Sequence, residues 1–148
     1  IRQIPPWYEN ISKRQVKSPK IFIRDTGILH TLLGLKGDEI MNHPKLGFSW
    51  EGFVIEQIIG ILRTRDYYFW ASHTGAELDL MIFHNGKRYG FEIKMSDAPE
   101  ITKSMQIALN DLKPDKLFII YPGSRSTSLS EKIELCSILD LNKILKKL

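Results

Sequence analysis

Apolar residues recur along this chain with two different periods, and the change from one to the other marks its elements. Ile55, Ile58 and Leu62 are spaced three and four residues apart, which predicts a helix from Ser49 onward with one buried stripe. Traced back one turn, that stripe begins on Glu51. Burying a carboxylate there costs several kcal/mol unless another group pairs with it. Glu56 falls off the stripe and is expected on the solvated surface. Over residues 77–83 the period becomes two, with Leu78, Leu80 and Ile82 alternating as one buried strand face. The segment His84-Asn85-Gly86-Lys87 follows. Asn-Gly between alternating runs predicts a tight hairpin, because a type I′ turn places both central residues at positive φ. The return strand covers residues 88–94, with Tyr89, Phe91 and Ile93 facing inward.

The remaining pattern completes an α/β chain. A short strand is expected at 21–24, with Asp25 or Thr26 capping a helix that Gly34 and Gly37 stop. Residues 67–70 form an aromatic strand candidate. Ser96 or Asp97, with Pro99, opens a helix bearing Ile101, Met105, Ala108, Leu109 and Leu112 on one side. The continuous apolar run 116–121 reads as an interior strand, so a strand–helix–strand unit with a parallel crossover is predicted. Residues 133–148 are a strand or a helix. The fold class is therefore α/β, a mixed central β-sheet flanked by helices. Residues 1–16, with Pro5, Pro6, Asn10 and Ser12, read as an extended arm or linker, and residues 17–148 as one domain.

Composition narrows this picture. The chain has 148 residues, 43% hydrophobic and 26% charged, enough for one domain with its own core. The single cysteine, Cys136, lies in an apolar setting and excludes a disulfide scaffold. That fits a reducing cytoplasm. No run approaches the roughly 20 apolar residues of a membrane helix, and no signal peptide is visible. The first residue is Ile, which suggests a piece of a longer chain. The four histidines are scattered without ligand spacing. Net charge is +4, concentrated in Arg2, Lys13, Arg14, Lys17, Lys20 and Arg24 at one end and Lys143, Lys146 and Lys147 at the other. Lys13, Arg14, Lys17 and Lys20 suit a nucleic-acid backbone, or equally a linker docked on another part of the protein.

The hairpin register carries the chemistry. A two-residue Asn85-Gly86 loop sets Asp79 opposite Glu92 and Glu77 opposite Lys94. The first pair falls at a non-hydrogen-bonded position, with Cβ atoms about 4.5–5.5 Å apart. Two carboxylates facing each other repel, and a divalent cation would compensate; hard oxygen donors suit Mg²⁺ or Mn²⁺. Lys94 sits beside Glu92 on the same face, and Glu51 offers a third carboxylate. An ordinary Glu77–Lys94 cross-strand pair on a solvated face is the alternative, and a β-bulge would cancel the opposition.

The segments Gly75-Ala76-Glu77-Leu78-Asp79 and Phe91-Glu92-Ile93-Lys94 resemble the signature of the PD-(D/E)xK nuclease superfamily. Lys17-Ser18-Pro19-Lys20-Ile21-Phe22-Ile23-Arg24-Asp25-Thr26-Gly27 and Ser49-Trp50-Glu51-Gly52-Phe53-Val54 resemble a C-terminal domain of unknown function. That domain follows the ATPase module and a winged helix in many bacterial and archaeal AAA-type ATPases. Together the resemblances imply a restriction-endonuclease-like core and a Mg²⁺- or Mn²⁺-dependent nuclease acting on DNA within a larger ATPase. A catalytically silent binding or oligomerisation module of that ATPase is the second expectation, with a second copy of the chain as a partner. They further imply that Asp79, Glu92 and the backbone carbonyl of Ile93 hold the metal. Lys94 would orient the attacking water, Glu51 would hold a second ion or its water, and Gln106 would be a polar position on the following helix. No Gly-x-x-x-x-Gly-Lys-Ser/Thr loop occurs, so these residues are not expected to bind ATP by themselves.

Overall fold

The computed structural model describes residues 1–148. Its centre is a six-stranded mixed sheet made of β3 (Tyr67–Ala71), β4 (Glu77–His84), β5 (Lys87–Ile93), β6 (Lys116–Tyr121), β7 (Thr127–Ser128) and β8 (Ile133–Ser137). The spatial order is β3-β4-β5-β6-β8-β7. β3, β4 and β5 form an antiparallel meander, β5, β6 and β8 run parallel, and β7 pairs antiparallel with β8 at the edge. The parallel β5–β6 step is the crossover expected from the sequence, made through α4 (Lys103–Leu112). Thr102 caps α4, so the helix opens after Ile101 and not at Ser96 or Asp97.

Two short helices, α1 (Thr26–Leu32), capped by Asp25, and α2 (Asp38–Met41), come before the helices that cover the sheet. Two cores lie on the two faces of this sheet. On one, Val54, Ile55 and Ile58 of α3 (Leu46–Leu62), with Leu141 and Leu145 of α5 (Leu141–Leu145), meet Leu80, Ile82, Phe91, Phe118 and Ile120. On the other, Met105, Ala108 and Leu112 of α4 meet Leu78, Met81, Leu117 and Ile119. Strands covered on both faces need apolar residues at every position, which is why 116–121 shows no alternation. No helix is long and apolar enough to cross a membrane. Cys136 is fully buried, as expected.

The hairpin forms as predicted at its closed end. Asn85 (φ 49°) and Gly86 (φ 75°) occupy the turn, and five pairs run from His84↔Lys87 to Leu80↔Phe91. Beyond them the pairing stops, so the expected cross-strand pair of Asp79 with Glu92 is not formed in the ladder. On the other side of β4, Tyr68 pairs with Met81 but Trp70 with Leu78, so β4 carries one extra residue near Asp79. This bulge turns Leu78 into the α4-side core, whereas the alternation had placed it with Leu80 and Ile82.

Three further expectations are corrected. α3 begins at Leu46, not Ser49, so Glu51 lies in its second turn rather than at its head. Residues 133–148 are both a strand and a helix, β8 and α5, joined by a 3-10 turn at Ile138–Asp140. Glu56 is not solvated: its carboxylate accepts from Arg2 Nε at 2.5 Å and Arg24 Nε at 2.9 Å. That clamp fixes a small ribbon of β1 (Arg2–Ile4) and β2 (Lys20–Phe22) against α3. The opening residues thus pack on the domain, with Ile4 fully buried, Pro6 bridged to Phe69 and Gln15 to Ser72. Gly52 of α3 allows the close approach. A Cβ there would lie 2.9 Å from Phe22 Cδ1.

Candidate active site

Four carboxylates and two lysines meet where the β4–β5 ladder opens. β4 supplies Glu77 and Asp79, β5 supplies Glu92 and leads into Lys94, α3 supplies Glu51, and β2 supplies Lys20. The ladder opens because other groups take its hydrogen bonds. Asp79 Oδ2 accepts the Ile93 N–H at 2.8 Å. Ser104 of α4 captures the backbone of Glu77, its Oγ accepting from the N–H at 2.9 Å and donating to the carbonyl at 3.1 Å. Trp50 Nε1 donates to the Lys94 carbonyl at 3.1 Å and holds the far end of β5 against α3.

Lys20 stands among three of the acids. Its Nζ lies 3.0 Å from Glu51 Oε1 and 3.6 Å from Asp79 Oδ1, and it also contacts Glu77 Oε1. Lys94 Nζ pairs with Glu92 Oε1 at 2.8 Å. The expected opposition of Glu77 and Lys94 is therefore not formed, since the bulge sends Glu77 to Lys20 instead. Glu92 is 4% exposed, and its second oxygen, Oε2, is buried without a hydrogen-bond partner. An orphaned carboxylate oxygen is costly and calls for a positive or hydrogen-donating neighbour.

The electrostatics follow from burial and crowding. Burial, reinforced by Asp79, pushes the Glu51 carboxyl up to about 7, although Lys20 pulls against it. Burial and the same Asp79 charge push Glu92 up to about 7, against Lys94. Asp79 is also raised, mainly by burial, while Lys20 and the Ile93 N–H oppose the shift. Burial disfavours the Lys20 ammonium, but Glu51, Asp79 and Glu77 together outweigh it and keep this group firmly protonated.

No three acidic, histidine or cysteine side chains converge at metal-ligand distance. The donor chemistry nevertheless suits a hard divalent ion, since every candidate ligand is a carboxylate or backbone oxygen and Glu92 Oε2 is free to bind one. Ile93, whose carbonyl is the remaining candidate ligand, is 7% exposed beside Asp79.

The basic residues proposed for nucleic acid separate. Lys20 belongs to the acid cluster. Lys13 pairs with Asp111 at 2.6 Å on α4. Arg14 and Lys17 are exposed and form no ion pair, and Gln106 is exposed on α4. Sequence reasoning missed the roles of Ser104 and Trp50, which act through backbone groups and leave no local pattern.

Residues 46–141 match the family described as a domain of unknown function (DUF4143), and residues 1–39 match a second, also described as a domain of unknown function (DUF8612). Uncharacterized proteins of Mycobacterium tuberculosis and Mycobacterium bovis are each 48% identical to the chain over 134 residues. The match covers 90% of this chain and 30% of theirs, so the chain spans under a third of the curated relatives' length. With the family match running from the head of α3 through β8 to the start of α5, the chain belongs to the DUF4143 family.

Proposed function

We propose that this domain is a Mg²⁺- or Mn²⁺-dependent nuclease hydrolysing phosphodiester bonds in DNA. In this reading the core is restriction-endonuclease-like, and the whole protein is a cytoplasmic AAA-type ATPase. The single observation that carries it is the unpartnered Glu92 Oε2, buried next to Asp79 and beside Lys94. With all four carboxylates ionised, the two ammonium groups leave an excess of two negative charges, which one divalent ion balances.

Asp79, Glu92 and the Ile93 carbonyl would hold that ion, which when bound would supply Lewis-acid polarisation of a phosphoryl oxygen. Lys94 is about one third exposed, so its ammonium reaches solvent while remaining tied to Glu92. It is placed to stabilise negative charge growing on a phosphate. Glu51 adds a second carboxylate on the α3 side, near Asp79 and Lys20.

Calorimetry with Mg²⁺ or Mn²⁺ tests the reading first. The parent is expected to bind, and Asp79→Ala and Glu92→Ala to lose binding. DNA cleavage is then expected to vanish in Asp79→Ala and Lys94→Ala with the fold intact. Unaltered cleavage in both variants would sink the catalytic assignment.

A second reading has its own support. Lys20 already bridges Glu51, Glu77 and Asp79 without a metal, which suits a catalytically silent binding or oligomerisation module. No metal binding by the parent, together with full stability in a chelator, selects this alternative.

A further inference from the structure

Beside the acid site, the opening segment and the β3–β4 turn enclose a cleft of about 510 Å³ lined by Tyr8, Arg14, Gln15, Lys17, Ser18 and His73. Its framework is fixed. The Val16 N–H donates to the Ala71 carbonyl at 2.8 Å and the His73 N–H to the Arg14 carbonyl at 2.9 Å. Gln15 Oε1 accepts from the buried Trp70 Nε1 at 2.8 Å, so the floor is anchored in the core. No acid lines the cleft, and neither Arg14 nor Lys17 has a carboxylate within ion-pair distance. Another cavity, about 720 Å³ around Arg88, differs in this respect: Glu9, Asp111 and Asp115 line it, and Arg88 is paired with Glu9 at 2.5 Å.

Tyr8 gives the cleft a second property. It is 52% exposed, and its hydroxyl lies 3.5 Å from the Lys17 carbonyl, at the edge of hydrogen-bond range. A half-exposed aromatic ring beside two uncompensated cations combines the two elements that hold a single strand, a stacking platform and a backbone track. A duplex hides its base faces except at its ends, so this ring can be used only by an unpaired base. The cleft is also tied to the acid cluster by a short stretch of chain. Lys17 and Lys20 are three residues apart, at most about 11 Å of extended chain.

We propose that this cleft binds single-stranded nucleic acid, with Arg14 and Lys17 on successive phosphates, His73 at the rim and a base stacked on Tyr8. The inference deepens the nuclease reading, on which it rests for choosing nucleic acid over another polyanion. It places the strand where its continuation reaches the acid cluster.

Fluorescence anisotropy with a short labelled single-stranded oligonucleotide, in the presence of EDTA, tests binding apart from cleavage. Arg14→Ala/Lys17→Ala is expected to weaken binding by about tenfold or more and to lower the salt slope by about 1.4, at about 0.7 per phosphate contact. Tyr8→Leu is expected to weaken binding by about fivefold or more without changing the salt slope. Lys13→Ala, whose ammonium is occupied by Asp111, should leave both unchanged. Equal binding of a blunt duplex or an acidic peptide, with no effect of Tyr8→Leu, would overturn the proposal, as would absence of binding by the parent. Binding with these mutant effects but no cleavage by the parent with Mg²⁺ would keep the cleft and reject the nuclease.

Discussion

Lys20 is the residue on which the two functional readings divide. Its ammonium holds Asp79 together with Glu51 and Glu77, and Asp79 is also a ligand of the proposed ion, so the lysine and an ion would compete for Asp79. Lys20→Met keeps the length of the stem and removes the charge. In a chelator this variant is expected to lose up to about 3 kcal/mol of stability, the lower range for breaking a buried ion pair. Under the nuclease reading its Mg²⁺ affinity should rise by about tenfold or more. Calorimetry beside urea unfolding separates the two effects, and unchanged metal affinity would show that Lys20 does not compete. Glu92→Gln probes the other half of the cluster. An amide removes the repulsion with Asp79, so the variant should be no less stable than the parent in EDTA while losing metal binding.

Among the elements, α3 and the β1–β2 ribbon set the position of that lysine. Gly52 gives Phe22 its seat, and Phe22 is 2% exposed and stacked on Phe48 at 4.8 Å between ring centroids. Alanine at position 52 would gain up to about 1 kcal/mol of helix propensity. Against this, its Cβ would overlap Phe22, and overpacking of this kind costs about 1–3 kcal/mol. Gly52→Ala is therefore expected to destabilise the chain modestly in urea titration and to weaken the protection of Lys20 from acylation. The same elements show what sequence can and cannot convey. The Asn85-Gly86 turn is encoded by two adjacent residues, so it and the five pairs beyond it were legible. The bulge near Asp79 depends on pairing with β3, on Ser104 of α4 and on the Ile93 N–H, none of them visible in the alternation of residues 77–83. Asp79, Glu92 and Lys94 could be grouped in advance because the hairpin sets the ends of its two strands side by side even where the regular pairing stops at Leu80↔Phe91. Glu51 could be added because it heads an apolar helical stripe. Lys20 could not: Glu51 lies 31 residues away, and nothing local separates it from Lys13 or Lys17.

For the molecule as a whole, the acid cluster makes stability depend on pH in an unusual direction. Glu51 and Glu92 keep their protons in the fold up to about pH 7, whereas in the unfolded chain they release them near pH 4.5. Between those values the folded state binds more protons, so stability should fall as pH rises. Below about pH 4.5 this contribution is fully present, and above about pH 7 it is gone. Thermal unfolding in EDTA from pH 5 to 8 should show Tm declining over this range. A divalent ion selects the ionised carboxylates, so under the nuclease reading added Mg²⁺ should raise Tm more at pH 8 than at pH 5. A Tm that rises with pH in EDTA would show that these acids are already ionised in the fold.

The ribbon that carries Lys20 lies within residues 1–39, while all four carboxylates and Lys94 lie within residues 46–141. The acids and the ammonium that contacts three of them thus belong to segments that two separate families describe. A protein that inherited the second segment behind a different leader would meet the same carboxylates with a different counter-charge. The resting state of the site is therefore a property of the pairing of segments, and shuffling the leader would retune it without altering a single acid.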